Sequence, residues 1–438
     1  MTSRPLDNGL RIVVSPTPGL GVVAVNLWYD VGSRHEQPHR QGFAHLFEHL
    51  MFQGSRQVPG SGHFSLLQGV GASLNGTTSF DRTNYFETVP KHALDLALWL
   101  EADRMGSLLE AVTQENLDNQ RDVVKNERRQ RYDNVPYGTA FERLFAGLFP
   151  DGHPYHHAPI GSMADLDAAS LADVHAFFTT WYAPDNAVLS IVGDVDAEAA
   201  VDLAETYFGG IAGRGEFPRP RDGAVAPLAA PVRDDVDDPG VPNQALYVAF
   251  RVPADGTPEC DAVDLALSVL AGGDSSRLVS RLVRREQVAQ FVHGGVQRLV
   301  GGSAVGLLLL HAMPSADVAR VESMVYEELE TLAADGPTDA EVERVRAQAE
   351  RQFLDETGTA ERLADELARY ATLFGDPRAL NSALERILTT DRDAVHRAAA
   401  ELLRPHQAYV LTYRPVPASA TGDGSGSGSG DDTEGSAA

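Results

Sequence analysis

Two histidines four residues apart, with a glutamate between them, are the residues of this sequence best placed to do chemistry: Gly42-Phe-Ala-His45-Leu-Phe-Glu48-His49-Leu-Met-Phe52. In an α-helix that spacing sets both imidazoles on one face, where they can share a tetrahedral metal ion, and Glu48 adjoins the same face. Catalytic zinc takes three protein ligands and leaves a fourth position to water, whose pKa then falls to about 7. A carboxylate placed as Glu48 is can take the proton of that water. The third ligand must be a distant Glu, Asp or His. The amphipathic stretch 119–134 offers Glu127, close to the apolar pair Val123 and Val124. The expectation is therefore one Zn2+ per chain, held by His45, His49 and Glu127, with Glu48 as the base.

These residues need a scaffold, and its periodicity is readable. Alternating apolar and polar residues predict strands at 22–30, 72–75, 186–193, 243–251, 290–295 and 408–413. Helical periodicity covers 91–108, 114–132, 165–182, 197–208, 316–334, 339–358, 360–373 and 391–403. The run 22–30 precedes an apolar helix at an interval similar to that after 243–251. Likewise, 62–69 with its following strand has a counterpart in 275–284 followed by 290–295. This points to an α+β fold built from two homologous domains, each an antiparallel-rich sheet packed with helices. Residues 1–215 form the zinc-binding domain, 216–235 a proline-rich linker and 236–416 a homologous domain without metal ligands. Residues 417–438 read as a disordered Gly/Ser-rich acidic tail.

Composition narrows the function. A chain of 438 residues is long enough for two cores, and 43% hydrophobic with 22% charged residues is ordinary for a globular protein. Lys and Arg number 36 against 62 Asp and Glu, a net charge of −26 that repels phosphates and argues against nucleic acid, while leaving room for a basic peptide. The single cysteine, Cys260, cannot form an internal disulfide. No apolar run reaches membrane-spanning length and the first residues lack a signal-type apolar core, so no membrane association and a cytoplasmic location are expected.

Beyond the His-x-x-Glu-His element, several segments make the chain resemble the pitrilysin/insulinase-type inverzincin metallopeptidases, and among them the bacterial relatives of mitochondrial processing peptidase. They are Gly71-Ala-Ser-Leu-Asn75-Gly-Thr77-Thr-Ser79, Asn126-Glu127-Arg128, His153-Pro-Tyr-His156-His157 with Ile160-Gly161, and Tyr182-Ala-Pro-Asp-Asn-Ala-Val-Leu-Ser-Ile-Val-Gly-Asp194. The resemblance runs to about Pro415. It implies a zinc endopeptidase that cleaves short or unfolded peptides, of leader-peptide or presequence type, by attack of a zinc-bound water. It also implies that Asn75 and Thr77 lie on an edge strand that pairs with the substrate backbone, and that the cluster His153, His156, His157 is structural rather than a second metal site.

Two departures stand out. Family enzymes that act alone carry an Arg and, seven residues later, a Tyr that orient substrate and stabilise the oxyanion. Here Arg284 is present but Phe291 replaces the Tyr. A homologous partner subunit supplying the Arg/Tyr pair, or a homodimer, is expected to complete the chamber around the peptide. Gln120 stands where relatives often have a second Glu, which removes one negative charge next to the metal without touching its ligands. The alternative reading is a noncatalytic structural subunit of a larger complex; intact His45, Glu48, His49 and Glu127 count against it. A hydrolase of nonpeptide amides fits the same residues.

Overall fold

The computed structural model describes residues 1–220 and 223–416. The expected acidic tail from 417 lies outside them. The first half contributes strands β1 (Thr2–Pro5), β2 (Arg11–Pro16), β3 (Val22–Tyr29), β4 (Ser73–Thr78), β5 (Thr83–Pro90) and β6 (Ala187–Gly193), in the sheet order β1-β2-β6-β3-β5-β4. Its helices are α1 (Phe43–Leu50), α2 (Gly62–Gly69), α3 (Leu94–Ser107), α4 (Gln114–Arg128), α5 (Ala140–Leu148), α6 (Met163–Ala168), α7 (Leu171–Trp181) and α8 (Ala197–Phe208). The second half forms the sheet β7-β11-β8-β10-β9 from β7 (Val232–Asp238), β8 (Ala245–Pro253), β9 (Ala289–Gln297), β10 (Ser303–Ala312) and β11 (Tyr409–Pro415). Its helices are α9 (Pro258–Ala271), α10 (Val318–Asp335), α11 (Asp339–Thr357), α12 (Ala360–Leu373), α13 (Ala379–Thr389) and α14 (Arg392–Leu402).

The two sheets share one topology. β2 runs parallel to β6, β6 is antiparallel to β3, and β5 and β4 follow antiparallel. β7, β11, β8, β10 and β9 repeat that sequence of pairings. The α+β class and the duplicated unit are both found.

Each half also lends a helix to the other. On β3, Val23, Val25, Leu27 and Tyr29 pack into the core with α1, α3 and α8. Ala24 and Trp28 point the other way, with Val13, Val188 and Val192, onto Ala364, Leu367, Ala368 and Ala371 of α12. That double cover is why β3 is apolar nearly throughout rather than alternating. In return, Leu144, Phe145 and Leu148 of α5 pack into the core of the second sheet with Tyr409 and Tyr413.

The sequence reading needs correcting in several places. The expected linker ends early, because β7 starts at Val232 and pairs in parallel with β11. The single helix expected over 165–182 is two: α6 stops before Ser170, whose hydroxyl accepts from Asp173 N and caps α7. The helix expected to reach Tyr132 ends as α4 at Arg128 and widens into a π-type turn, Arg129–Asp133. The counterpart of α2 in the second half is a similar wide turn, Val279–Arg285. Strands β1, β2, β5, β7 and β10 and helices α5 and α13 add to the elements read from periodicity.

Candidate active site

The helix α1 is pinned by its apolar face. Phe43, Ala44, Leu46, Phe47 and Leu50 are buried, and Phe47 packs on Tyr182 with ring centres 4.4 Å apart. This leaves His45, Glu48 and His49 facing β4 and α4. The helix α4 begins at a Thr113 cap and buries Leu117, Gln120 and Val124. Val123, expected beside Val124 in the core, is 41% exposed instead.

Glu127 turns inward. Its Oε2 lies 3.4 Å from His49 Nε2 and 3.7 Å from His45 Nε2. One donor atom from each of the three residues falls within 4.8 Å of the others. Among the described residues this is the single group of three or more His, Cys, Asp or Glu side chains with metal-holding geometry. Two imidazole nitrogens and one carboxylate, with room left beside them, are the donor set of a catalytic zinc site.

The electrostatics suit a dication. Burial, helped by the positive character of neighbouring His49, lowers the His45 pKa to about 4, so its ring is neutral and able to ligate. For His49, burial pulls downward, but the bond to Glu127 and the charge of Glu48 outweigh it and the pKa sits above the ordinary value. Glu127 is held below the usual carboxylate range, first by its bond to His49 and against the pull of burial. The Gln120 side chain, 7% exposed, also acts on the His49 ring. His45 Nδ1 is buried with no hydrogen-bond partner among the described residues. Arg131, 73% exposed, touches Glu127 at 2.7 Å from the solvent side.

Glu48 is set for proton transfer. Burial raises its pKa, while Thr78 Oγ1 donates to its Oε2 at 2.6 Å. Gly76 of β4 allows this approach: a Cβ there would meet Glu48 Cγ at 3.2 Å and the rings of Phe52 and Tyr85 at 3.1 Å.

β4 closes one end of its sheet, pairing with β5. Thr77 Oγ1 donates to Asn84 Oδ1 at 2.6 Å, and its carbonyl accepts from Arg82 at 2.8 Å. Thr77 and Asn75 thus face away from Glu48, whereas Thr78 faces it. Asn75 Oδ1 accepts from Gly76 N. Arg284 is over half exposed and pairs with Asp274 at 3.2 Å. Phe291, on the edge strand β9, is 43% exposed and meets His311 edge-on.

Sequence reasoning missed two residues beside the site, Thr78 and Glu36; Glu36 meets His157, named from the sequence as structural, at 2.7 Å beside the start of α1. Of the remaining histidines in that cluster, His156 Nδ1 pairs with the carbonyl of Phe149 and His153 stacks on its ring. Cys260 is buried, which pushes its thiol up to about 12 and leaves it unreactive.

Fold and cluster together define a two-domain α+β protein with the side-chain geometry of a zinc hydrolase. A family model described as Insulinase (Peptidase family M16) matches residues 11–151, and one described as Peptidase M16 inactive domain matches residues 168–349. The chain belongs to this pitrilysin/insulinase-type peptidase family. The zinc protease PqqE of Helicobacter pylori is 29% identical over 94% of this chain and 92% of its own length. The crystal structure of a protease from Helicobacter pylori superimposes with a TM-score of 0.88 at 28% identity, covering 94% of this chain and 99% of that one. A probable mitochondrial-processing peptidase subunit beta from Schizosaccharomyces pombe is 25% identical over 91% of this chain and 88% of its own. Among the described residues, no helix is long and apolar enough to cross a membrane.

Proposed function

We propose that this chain is a zinc-dependent endopeptidase acting on short or unfolded peptides of the leader-peptide or presequence kind. The reading is carried by the convergence of His45, His49 and Glu127 beside a buried, proton-accepting Glu48. Zinc held by those three side chains supplies Lewis acidity toward a scissile carbonyl and an attacking water. Glu48 takes the proton of the water on Oε1, since Thr78 occupies Oε2, and passes it to the leaving amine nitrogen. An extended peptide adds as a strand along β4, whose main chain reads backbone rather than sequence; Asn75 and Thr77 steady that strand from its far face. Gln120 orients His49, as outer partners of metal-ligating histidines do.

Phe291 offers no hydroxyl to an oxyanion, and Arg284 is engaged with Asp274. A homologous partner subunit supplies the Arg/Tyr pair and the other wall of the chamber; a second copy of this chain, carrying the same Phe291, would supply the wall alone. The likeness to a relative named as a subunit favours this arrangement. Zinc content, and cleavage of an unfolded peptide pool with and without chelator, test the proposal. Stoichiometric zinc and chelator-sensitive cleavage are expected. Absence of zinc would turn the reading to a noncatalytic subunit, and full activity of the lone chain would remove the partner.

A further inference from the structure

The helix α1 has no cap of its own, since its N-terminal flank is Gly42, which lacks a side chain. The Glu36 carboxylate does that work from the preceding loop. Its Oε2 accepts from Gly42 N at 2.9 Å and its Oε1 from Ala44 N at 2.8 Å. A negative charge at this position also meets the positive end of the helix dipole. The side chain is fully buried, and His157 Nε2 lies 2.7 Å from Oε2. Facing an acceptor, that nitrogen must carry the proton, so His157 donates.

The segment that carries His157 also holds the helix that carries Glu127. Arg128 donates to Gly161 O at 2.6 Å, and Arg121 to Leu166 O and Ala169 O at 2.9 and 2.7 Å. Gln41 N, just before α1, donates to Asp165 Oδ2 at 3.0 Å. Gly42 and Gly161 meet so closely that a Cβ on Gly161 would fall 2.2 Å from Gly42 Cα, and both residues have positive φ. Residues 157–169 are therefore a common anchor for α1 and α4, the two helices whose separation decides whether three ligand atoms can meet at one point.

We infer that Glu36 and His157 are a positioning pair for the metal site: by capping α1 from the same segment that grips α4, they hold His45 and His49 at the distance Glu127 requires. Neither residue touches the ligands. The inference rests on reading His45, His49 and Glu127 as zinc ligands, and the test separates the two.

Zinc affinity, measured by competition with a chromophoric chelator, is compared with the melting temperature of the metal-free protein for Glu36→Gln, His157→Leu and His157→Gln. A control is Glu341→Gln, which, like Glu36→Gln, neutralises a carboxylate that accepts from a helix-start N–H, at Thr338 N, and breaks its ion pair with Arg277 in the second half. Glu36→Gln and His157→Leu are expected to weaken zinc binding about ten-fold, in the range typical for residues that support metal ligands from outside. His157→Gln, which keeps a donor, should bind nearly as the parent does, and Glu341→Gln should bind zinc unchanged whatever its melting temperature. Unaltered affinity in both Glu36→Gln and His157→Leu overturns the inference while leaving the zinc reading intact. So does an equal loss in Glu341→Gln, which would mark the effect as general destabilisation. Should Glu36→Gln fail to fold, the two His157 variants decide. A parent chain that takes up no zinc overturns the zinc reading and this inference with it.

Discussion

The helices α1 and α9 follow matching strands in two sheets of the same topology, yet they treat charge in opposite ways. In α9, Asp261 is 1% exposed and Asp264 lies near it, and both are closed by cations from within the protein. Arg298 reaches Asp261 at 3.1 Å, Asp264 at 2.7 Å and Asp255 at 2.9 Å, and Arg386 adds a bond to Asp261 at 3.2 Å. Around α1, Glu48 and Glu127 face two imidazoles instead, and the cation touching Glu127 is Arg131 on the solvent side. A cluster that contains its own arginines is complete when folded. One built from carboxylates and imidazoles gains most from a cation that arrives from outside. On the proposed zinc reading, the same framework would serve as a strut in one half and as a receptor in the other.

The strongest way to break this contrast is to disable chemistry without disturbing the receptor. Glu48→Gln should keep stoichiometric zinc while turnover falls by about 10²–10⁴-fold, the range for losing a general base. Persisting cleavage would deny Glu48 its role. The reverse experiment is Arg298→Met, which strips the compensating charge from the second cluster. With Asp261 and Asp255 left buried beside fewer cations, unfolding in urea should show a loss of about 3 kcal/mol. Zinc affinity should not change, and a parallel fall in zinc binding would mean that the two clusters are not independent.

Which parts of this contrast could be read from the sequence follows from what spacing encodes. The i, i+4 histidines and Glu48 were legible because a helix fixes the direction of every side chain from its number alone. The starts of α4, α8, α11 and α14 fall within one residue of those read from periodicity, and Thr113, Asp196, Thr338 and Asp391 cap them. The exchange of α5 and α12 was not, because periodicity shows that a helix has an apolar face but not which sheet that face will cover. Thr78 was missed for a related reason. Thr77 and Thr78 are chemically alike, and only the register of β4 against β5 decides which faces Glu48.

Thr78→Val tests that distinction directly. Valine keeps the shape and removes the donor, so Glu48 loses the 2.6 Å bond that fixes its rotamer. A hydrogen bond to a charged group contributes about 1.5–3 kcal/mol, so peptide turnover should drop roughly ten-fold or somewhat more. Zinc binding should hold, since none of the three candidate ligands is touched. Unchanged turnover would reduce Thr78 to an ordinary strand residue.

The smallest expected effect lies where the two halves exchange helices. The contact of α5 with the second sheet is made by Phe145 and Leu148, by a Thr139–Tyr413 hydroxyl pair at 2.8 Å and by a partly exposed Arg143–Asp234 ion pair at 3.0 Å. The contact of α12 with the first sheet carries a carboxylate. Asp365 Oδ1 accepts from Asn26 and Asn84 at 3.0 Å and from Trp28 Nε1 at 2.9 Å. Asn84 in turn holds Thr77, and the half-buried Arg82 that grips the Thr77 carbonyl is lowered in pKa by burial but drawn back by Asp365 and Glu48. A charge from the second half therefore steadies the strand along which a peptide would lie. Asp365→Asn keeps one acceptor and removes the charge, so stability should fall by about 1 kcal/mol. The Michaelis constant for peptide should rise several-fold with kcat nearly constant, because the ligands and Glu48 stay in place. An equal fall in kcat with no change in the Michaelis constant would show that α12 acts on the zinc helix rather than on the edge strand.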